Sequence, residues 1–253
     1  MVKFIKEVYV NIANDYIEKF LGLREEPGFR DVFKRPLDLK SLVVSQDKIT
    51  IDWIYTIQHV LAQRVLLETK MRSPHIKKAI DIGSQFSFVS QASAFLDFTV
   101  VEPRTENASF VIPEVCCVDF VNGEAQDLPF EDESFDVCTS LHAIEHFGLG
   151  RYGDTVDYYG DQKGLREMCR VMKKDGIMIT SVPTCKDSVI EFNGQRRYNP
   201  DDFDALTKDA GFEKQGGFFI VPGSPPLTKD PSFLETYDPK WSSPAYFSIN
   251  KKI

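Results

Sequence analysis

Long apolar runs are missing from this 253-residue chain. None approaches the ~20 consecutive residues needed to cross a bilayer, so no transmembrane helix is expected. Positive charge is in deficit, with 30 Lys and Arg against 38 Asp and Glu for a net charge of −8. A sequence-independent grip on nucleic acid or an anionic membrane needs clustered Lys and Arg to displace counterions, and that class of partner is not expected here. A local basic pocket stays compatible with the balance. Cysteine is sparse: Cys116, Cys117, Cys138, Cys169 and Cys185 form no C-x-x-C pair and are odd in number. They read as reduced thiols of a cytoplasmic protein, which argues against a disulfide scaffold or a zinc finger. A signal peptide is not expected either, because Lys3, Lys6, Asp15 and Glu18 interrupt the apolar residues at the start. Repeats and low-complexity tracts are absent.

What remains is ordinary globular material, 42% apolar and 27% charged, too apolar for disorder. The length suits one large domain, or a domain of ~150–200 residues with an extension. In residues 1–76, Ile5, Tyr9, Ile12, Tyr16 and Phe20 recur at helical spacing, which predicts a helix over 3–21. A second helix is expected from Thr50, a possible N-cap, to about Met71, with Ile54, Ile57, Leu61 and Val65 on one face. Three roles fit this extension: a cap over a site, a homodimer contact, or plain cover for the sheet.

From residue 77 to 253 short apolar segments alternate with helical ones, the pattern of a parallel α/β sheet. Strands are expected at 79–82, 98–101, 118–121, 137–141, 177–182, 218–221 and 246–249, and helices at 87–95, 164–173 and 200–210. The fold class is a Rossmann-like, doubly wound, seven-stranded and mostly parallel sheet with an N-terminal helical extension. Asp81-Ile82-Gly83-Ser84 reads as a strand entering a tight glycine turn at the carboxyl edge, where such sheets bind ligands. The next strand ends at Glu102, placed to accept hydrogen bonds from a ribose. The second and third glycines of a dinucleotide loop are absent, which argues against NAD or FAD.

Gly123-Glu124-Ala125-Gln126-Asp127-Leu128-Pro129-Phe130, followed by Ser134-Phe135-Asp136, closely resembles class I S-adenosylmethionine-dependent methyltransferases. Arg170-Val171-Met172-Lys173-Lys174-Asp175-Gly176 looks like that family's turn before the fifth strand. The stretch from Glu145-His146 through Gly148-Leu149-Gly150-Arg151-Tyr152-Gly153-Asp154 is similar to a branch associated with surface-polysaccharide assembly. The resemblance implies methyl transfer from S-adenosylmethionine, yielding S-adenosylhomocysteine, to a small polar acceptor. It implies that Asp81, Gly83 and Ser84 shape the turn at the amino-acid end of the cofactor. Glu102 would take the ribose, Glu124 and Ala125 the adenine, and Leu141 and His142 would meet the sulfonium.

For catalysis, His146 is the expected general base, with His142 and Glu145 beside it, since an imidazole titrates near neutral pH. A structural histidine bonded to Glu145 or to backbone is the equal alternative. For the acceptor, the glycine-rich loop supplies Arg151, Tyr152 and Asp154, and a later segment supplies Asn193, Arg196, Arg197 and Tyr198. An inward arginine would recognise a phosphate, so the acceptor is either an uncharged sugar hydroxyl or a phosphate- or phosphoramidate-bearing compound. Two other readings stand beside the enzyme: a methyltransferase-like binding protein without chemistry, and an H-x-x-E-H zinc hydrolase through His142, Glu145 and His146. The zinc pattern belongs on a long helix, which Gly148 and Gly150 interrupt, and no metal is expected.

Overall fold

The structure is a computed structural model that describes residues 53–103, 118–191, 194–221, 227–237 and 244–253. The helix expected over 3–21, the N-cap Thr50, Cys116, Cys117 and Asn193 lie outside these residues. In chain order the elements are α1 (Trp53–Arg72), β1 (Lys78–Ile82), α2 (Phe86–Ala92), β2 (Asp97–Val101), β3 (Val118–Val121) and β4 (Phe135–Leu141). A 3-10 turn (Ile144–His146), α3 (Gly160–Val171), β5 (Met172–Pro183) and a short hairpin, β6 (Val189–Ile190) with β7 (Arg196–Arg197), follow. Helix α4 (Pro200–Asp209), β8 (Phe212–Ile220), β9 (Leu227–Thr228), a 3-10 turn (Pro231–Glu235) and β10 (Ala245–Lys252) complete the described residues.

The main sheet has eight strands in the order β3-β2-β1-β4-β5-β10-β8-β9. Strands β3, β2, β1, β4 and β5 pair in parallel, while β10 runs antiparallel to both β5 and β8. All seven expected strands are present, and the two-residue β9 is the addition. The order reverses at β1, so the crevice of this sheet opens at the carboxyl ends of β1 and β4.

Every residue of β4 is buried, which explains its mixed composition: the polar ones are there to bond. Thr139 Oγ1 donates to Asp81 at 2.5 Å, and Ser140 Oγ donates to the Ile82 carbonyl at 2.9 Å. At the opposite edge, Asp136 accepts from the Lys77 and Lys78 amides at 2.9 and 3.0 Å and from Lys173 Nζ at 2.7 Å. One carboxylate thus joins the amino ends of β1, β4 and β5. These three donors hold it below the ordinary carboxylate range, although burial opposes them.

Helices cover both faces. Leu165 and Met168 of α3 and Phe203 of α4 pack in one apolar cluster. Ile54, Ala62 and Leu66 of α1 join Phe88 and Val89 of α2 in the other, against Ala79, Val137 and Phe247 of the strands. Part of the segment before residue 77 therefore shares a core with the sheet. Helix α4 carries the expected markers: the Asn199 side chain accepts from the Asp201 amide at 2.8 Å, Pro200 is the first residue, and Gly211 follows with φ +104°. Among the described residues, no helix is long and apolar enough to cross a membrane.

Candidate functional site

Two adjoining clefts occupy the crevice and share Gly83, Glu102, His142 and Tyr152. One, of about 560 Å³ and open to solvent, runs past Glu102, Gly123, Glu124 and Ala125 to His146 and Asp154. The other, about 920 Å³, runs past Ser84, Gln85 and Leu141 to Tyr55 of α1. Neither is lined by Lys or Arg among the described residues.

The turn after β1 is held by side chains where a richer glycine loop would use bare backbone. Asp81 is fully buried and accepts from the Ser84 amide at 3.0 Å as well as from Thr139. Burial raises its carboxyl to about 6, against those hydrogen bonds. Ser84 Oγ accepts from the Leu141 amide at 2.9 Å and so ties the turn to the end of β4. Gly83 has φ +76°, and a Cβ there would stand 2.7 Å from Ala143 Cβ, so its lack of a side chain lets two backbone segments meet. Glu102, half-buried, follows β2, and its amide donates to the Val121 carbonyl at 3.1 Å.

Glu124 lines the first cleft and also meets the loop over it. Its carboxylate accepts from the Thr155 amide at 3.2 Å and from Thr155 Oγ1 at 3.1 Å. An ionised carboxylate has about four acceptor positions, so adenine recognition would use those that Thr155 leaves. Ala125 beside it is buried in the cleft wall.

The loop over the site is closed by its own polar groups. Asp154 accepts from the amides of Gly148 (2.9 Å), Gly150 (3.3 Å) and Tyr152 (3.2 Å), which fixes the loop, and it also lines the first cleft. A Cβ on Gly148, at φ +74°, would lie 2.1 Å from the Asp157 carbonyl oxygen. Tyr152 stacks edge-on to His146 at 5.3 Å between centroids and lines both clefts. Arg151 is exposed, lies over the Tyr152 ring and donates to the Gly194 carbonyl at 2.8 Å.

The three residues expected to serve catalysis, His142, Glu145 and His146, lie together at the end of β4 and in the 3-10 turn after it. His146 Nδ1 donates to the Gly194 carbonyl at 2.9 Å, and Nε2 stands 3.8 Å from Glu145 Oε1. Burial, reinforced by the charge of Arg151, lowers its imidazole to about 3, below the near-neutral range expected of it. Burial drives Glu145 the other way, to about 8. His142 follows β4 with φ +57°, and burial lowers its ring to about 3. His142 stands in a left-handed turn and His146 in a 3-10 turn, so the pair is not presented by successive turns of one helix. Among the described residues, no three His, Cys, Asp or Glu side chains converge as a metal site.

Arg196, Arg197 and Tyr198, expected to meet the acceptor, stand outside the lining of both described clefts. Arg196 is fully buried, donating to the carbonyls of Phe147 (2.6 Å) and Tyr158 (2.9 Å), with Asp161 at 3.5 Å. Arg197 pairs with Glu191. Tyr198 is buried, and its hydroxyl donates to Asp161 at 2.9 Å. These donors brace the walls behind the loop, and none of the three residues lines either cleft. Two contributors were missed, Tyr55 and Gln58 of α1. The signal was available, because Gln58 interrupts the apolar face of Ile54, Leu61 and Val65 one turn after Ile54.

Residues 105–217 match the family model described as Caenorhabditis protein of unknown function, DUF268. A curated relative, the uncharacterized methyltransferase YcgJ of Bacillus subtilis (strain 168), is 33% identical over 104 residues, 41% of this chain. That match spans 31% of the relative's own length. Among solved structures, a Burkholderia thailandensis 1,6-didemethyltoxoflavin-N1-methyltransferase with bound S-adenosylhomocysteine superposes with a TM-score of 0.55 at 11% identity. The superposition covers 98% of this chain and 89% of that one. The [4+2]-cyclase SpnF superposes at 0.50 with 14% identity, covering 76% and 80% of the two chains. Together with the strand order and the crevice at β1 and β4, these likenesses give the chain the fold of class I S-adenosylmethionine-dependent methyltransferases.

Proposed function

We propose that the chain is an S-adenosylmethionine-dependent methyltransferase acting on an oxygen of a small polar acceptor, in the cytoplasm and in the assembly of a surface glycan. The observation that carries the reading is the crevice itself: Gly83, Glu102, Glu124 and His142 face one acidic cleft without Lys or Arg among its described lining. That chemistry fits a cationic ligand with a ribose and repels a pyrophosphate. Asp81 and Ser84 hold the turn for the amino-acid end, Glu102 accepts from the ribose, and Glu124 and Ala125 border the adenine. The 33% identity to a relative described as a methyltransferase supports the reading, and the glycan setting rests on the loop resemblance alone.

S-adenosylmethionine, when bound, supplies an electrophilic methyl group whose bonding electrons stay on sulfur. The residues of this chain position the acceptor and take its proton. His146 offers Nε2, since Nδ1 is committed to Gly194. Its low basicity suffices, because an oxygen that takes on a third bond and positive charge as it is alkylated is a far stronger acid than an imidazolium. The proton can then pass to solvent at the open cleft.

A second reading, binding without transfer, draws on the Ser84-Gln85 turn and on Glu124 being engaged by Thr155. The same fold in a cyclase shows that the fold alone does not decide the chemistry. Calorimetry with S-adenosylhomocysteine and transfer of labelled methyl into a panel of sugars and glycan extracts separate the cases. Binding with transfer is expected. Absence of binding overturns the enzyme, and binding with no transfer into any compound favours the second reading. Glu102→Ala is expected to weaken S-adenosylhomocysteine binding by roughly tenfold or more, the size of a lost hydrogen bond to a charged group, with the unfolding transition unchanged.

A further inference from the structure

Helix α1 precedes the alternating strands and helices, yet it reaches the site directly. Gln58 is fully buried, and its Oε1 lies 2.7 Å from His142 Nδ1. A carbonyl oxygen only accepts, so Nδ1 carries the ring proton and Nε2 keeps its lone pair. Ser181 Oγ, at 3.3 Å, is the other neighbour of that Nδ1. Tyr55, on the preceding turn of α1, places its ring 5.2 Å from the imidazole. The imidazole is thus gripped on one side, on a backbone at φ +57° that side chains rarely adopt and that other contacts must hold. Its Nε2 has no hydrogen-bond partner among the described residues, and the ring lines both clefts.

His146 repeats the arrangement with the Gly194 carbonyl as its fixed acceptor. The cleft therefore holds two imidazoles that offer lone pairs. Burial favours the neutral form of both. The charged side chains lining the clefts are Glu102, Glu124 and Asp154. The two arginines that would have served a phosphate are bonded behind the wall. A group entering among lone pairs and carboxylates must bring its own hydrogens, and an anion there would meet repulsion with no Lys or Arg among the described lining to offset it.

We propose that Gln58 is a positioning residue that fixes the His142 proton on Nδ1, so that Nε2 receives a hydrogen bond from an uncharged acceptor, a hydroxyl or neutral amine, and that the cleft rejects anionic acceptors. The acceptor's role rests on the methyltransferase reading, whereas the tautomer does not.

Nitrogen-15 NMR of the full chain, labelled in histidine, tests both parts with and without S-adenosylhomocysteine. His142 is expected to show a protonated Nδ1 and an unprotonated Nε2 at neutral pH. Gln58→Glu, which keeps the accepting oxygen, is expected to retain that tautomer. Gln58→Leu is expected to lose it while S-adenosylhomocysteine affinity stays within about twofold. A proton on Nε2 in the wild type, or an unchanged tautomer in folded Gln58→Leu, overturns the positioning role. A methyl glycoside is expected to shift the His142 Nε2 resonance at millimolar concentration, and inorganic phosphate at the same concentration is not. A shift with phosphate, or silence to both, overturns the acceptor class. Failure of S-adenosylhomocysteine to bind counts against the methyltransferase reading alone, because the tautomer is read in the free protein as well.

Discussion

Glu145 and His146 are adjacent, buried and pushed in opposite directions, the carboxyl up to about 8 and the imidazole down to about 3. Both shifts favour the uncharged form near neutral pH, so the 3.8 Å contact between them is not held by an ion pair there. The sign of each contribution to stability follows from the direction. Glu145 keeps its proton more tightly in the folded chain, so its contribution is full below 4.5 and is lost as pH rises toward about 8. His146 resists protonation when folded, so its contribution is full above 6.5 and is lost as pH falls toward about 3. Glu145→Gln keeps the shape and removes the first titration. Relative to wild type, the variant is expected to gain about 1.4 kcal/mol per unit of pH across the Glu145 window. Denaturant midpoints at the two ends of that window check this, and a parallel pair of curves would refute it. Arg196 makes a second case. Arg196→Ala leaves Asp161 buried without its cation, and a loss of about 3–5 kcal/mol in unfolding free energy is expected.

Among the elements, the loop between β4 and α3 is the most constrained. Gly148→Ala would combine a left-handed φ with a 2.1 Å approach to the Asp157 carbonyl. Destabilisation by roughly 1–3 kcal/mol or more is expected, together with proteolytic cleavage between 148 and 160, readable by mass spectrometry. Much of the fold was legible because its elements carry local signals. The cap, proline and terminal glycine of α4 predict its position, and the apolar strands predict the sheet. The turn at Gly83 and the acid at Glu102 were legible for the same reason, since each ends a strand. The roles of Arg196 and Tyr198 were not. Both bond to partners 35 or more residues away in sequence, Tyr158 and Asp161 among them, or to backbone carbonyls that no side-chain pattern reveals. Long-range pairing leaves no local signature: the spacing in and just after β7 says which residues are neighbours and nothing about what faces them.

At the scale of the molecule, the net charge of −8 and the acidic lining of the clefts would act together on the cationic ligand proposed above. S-adenosylmethionine carries a sulfonium that S-adenosylhomocysteine lacks. The ratio of their affinities is expected to move toward the uncharged-sulfur product as salt is raised from low to physiological ionic strength, because screening weakens only the extra charge. Calorimetry of both ligands at two salt concentrations measures it, and a constant ratio would mean that the acids do not sense the sulfonium. The far edge of the sheet matters to the same crevice. Asp136 binds the starts of β1 and β5 from its own place in β4, so one carboxylate ties three strands together at the margin away from the crevice. A change at that margin reaches the ligand as altered spacing between β1 and β4, with every residue that touches the ligand still in place.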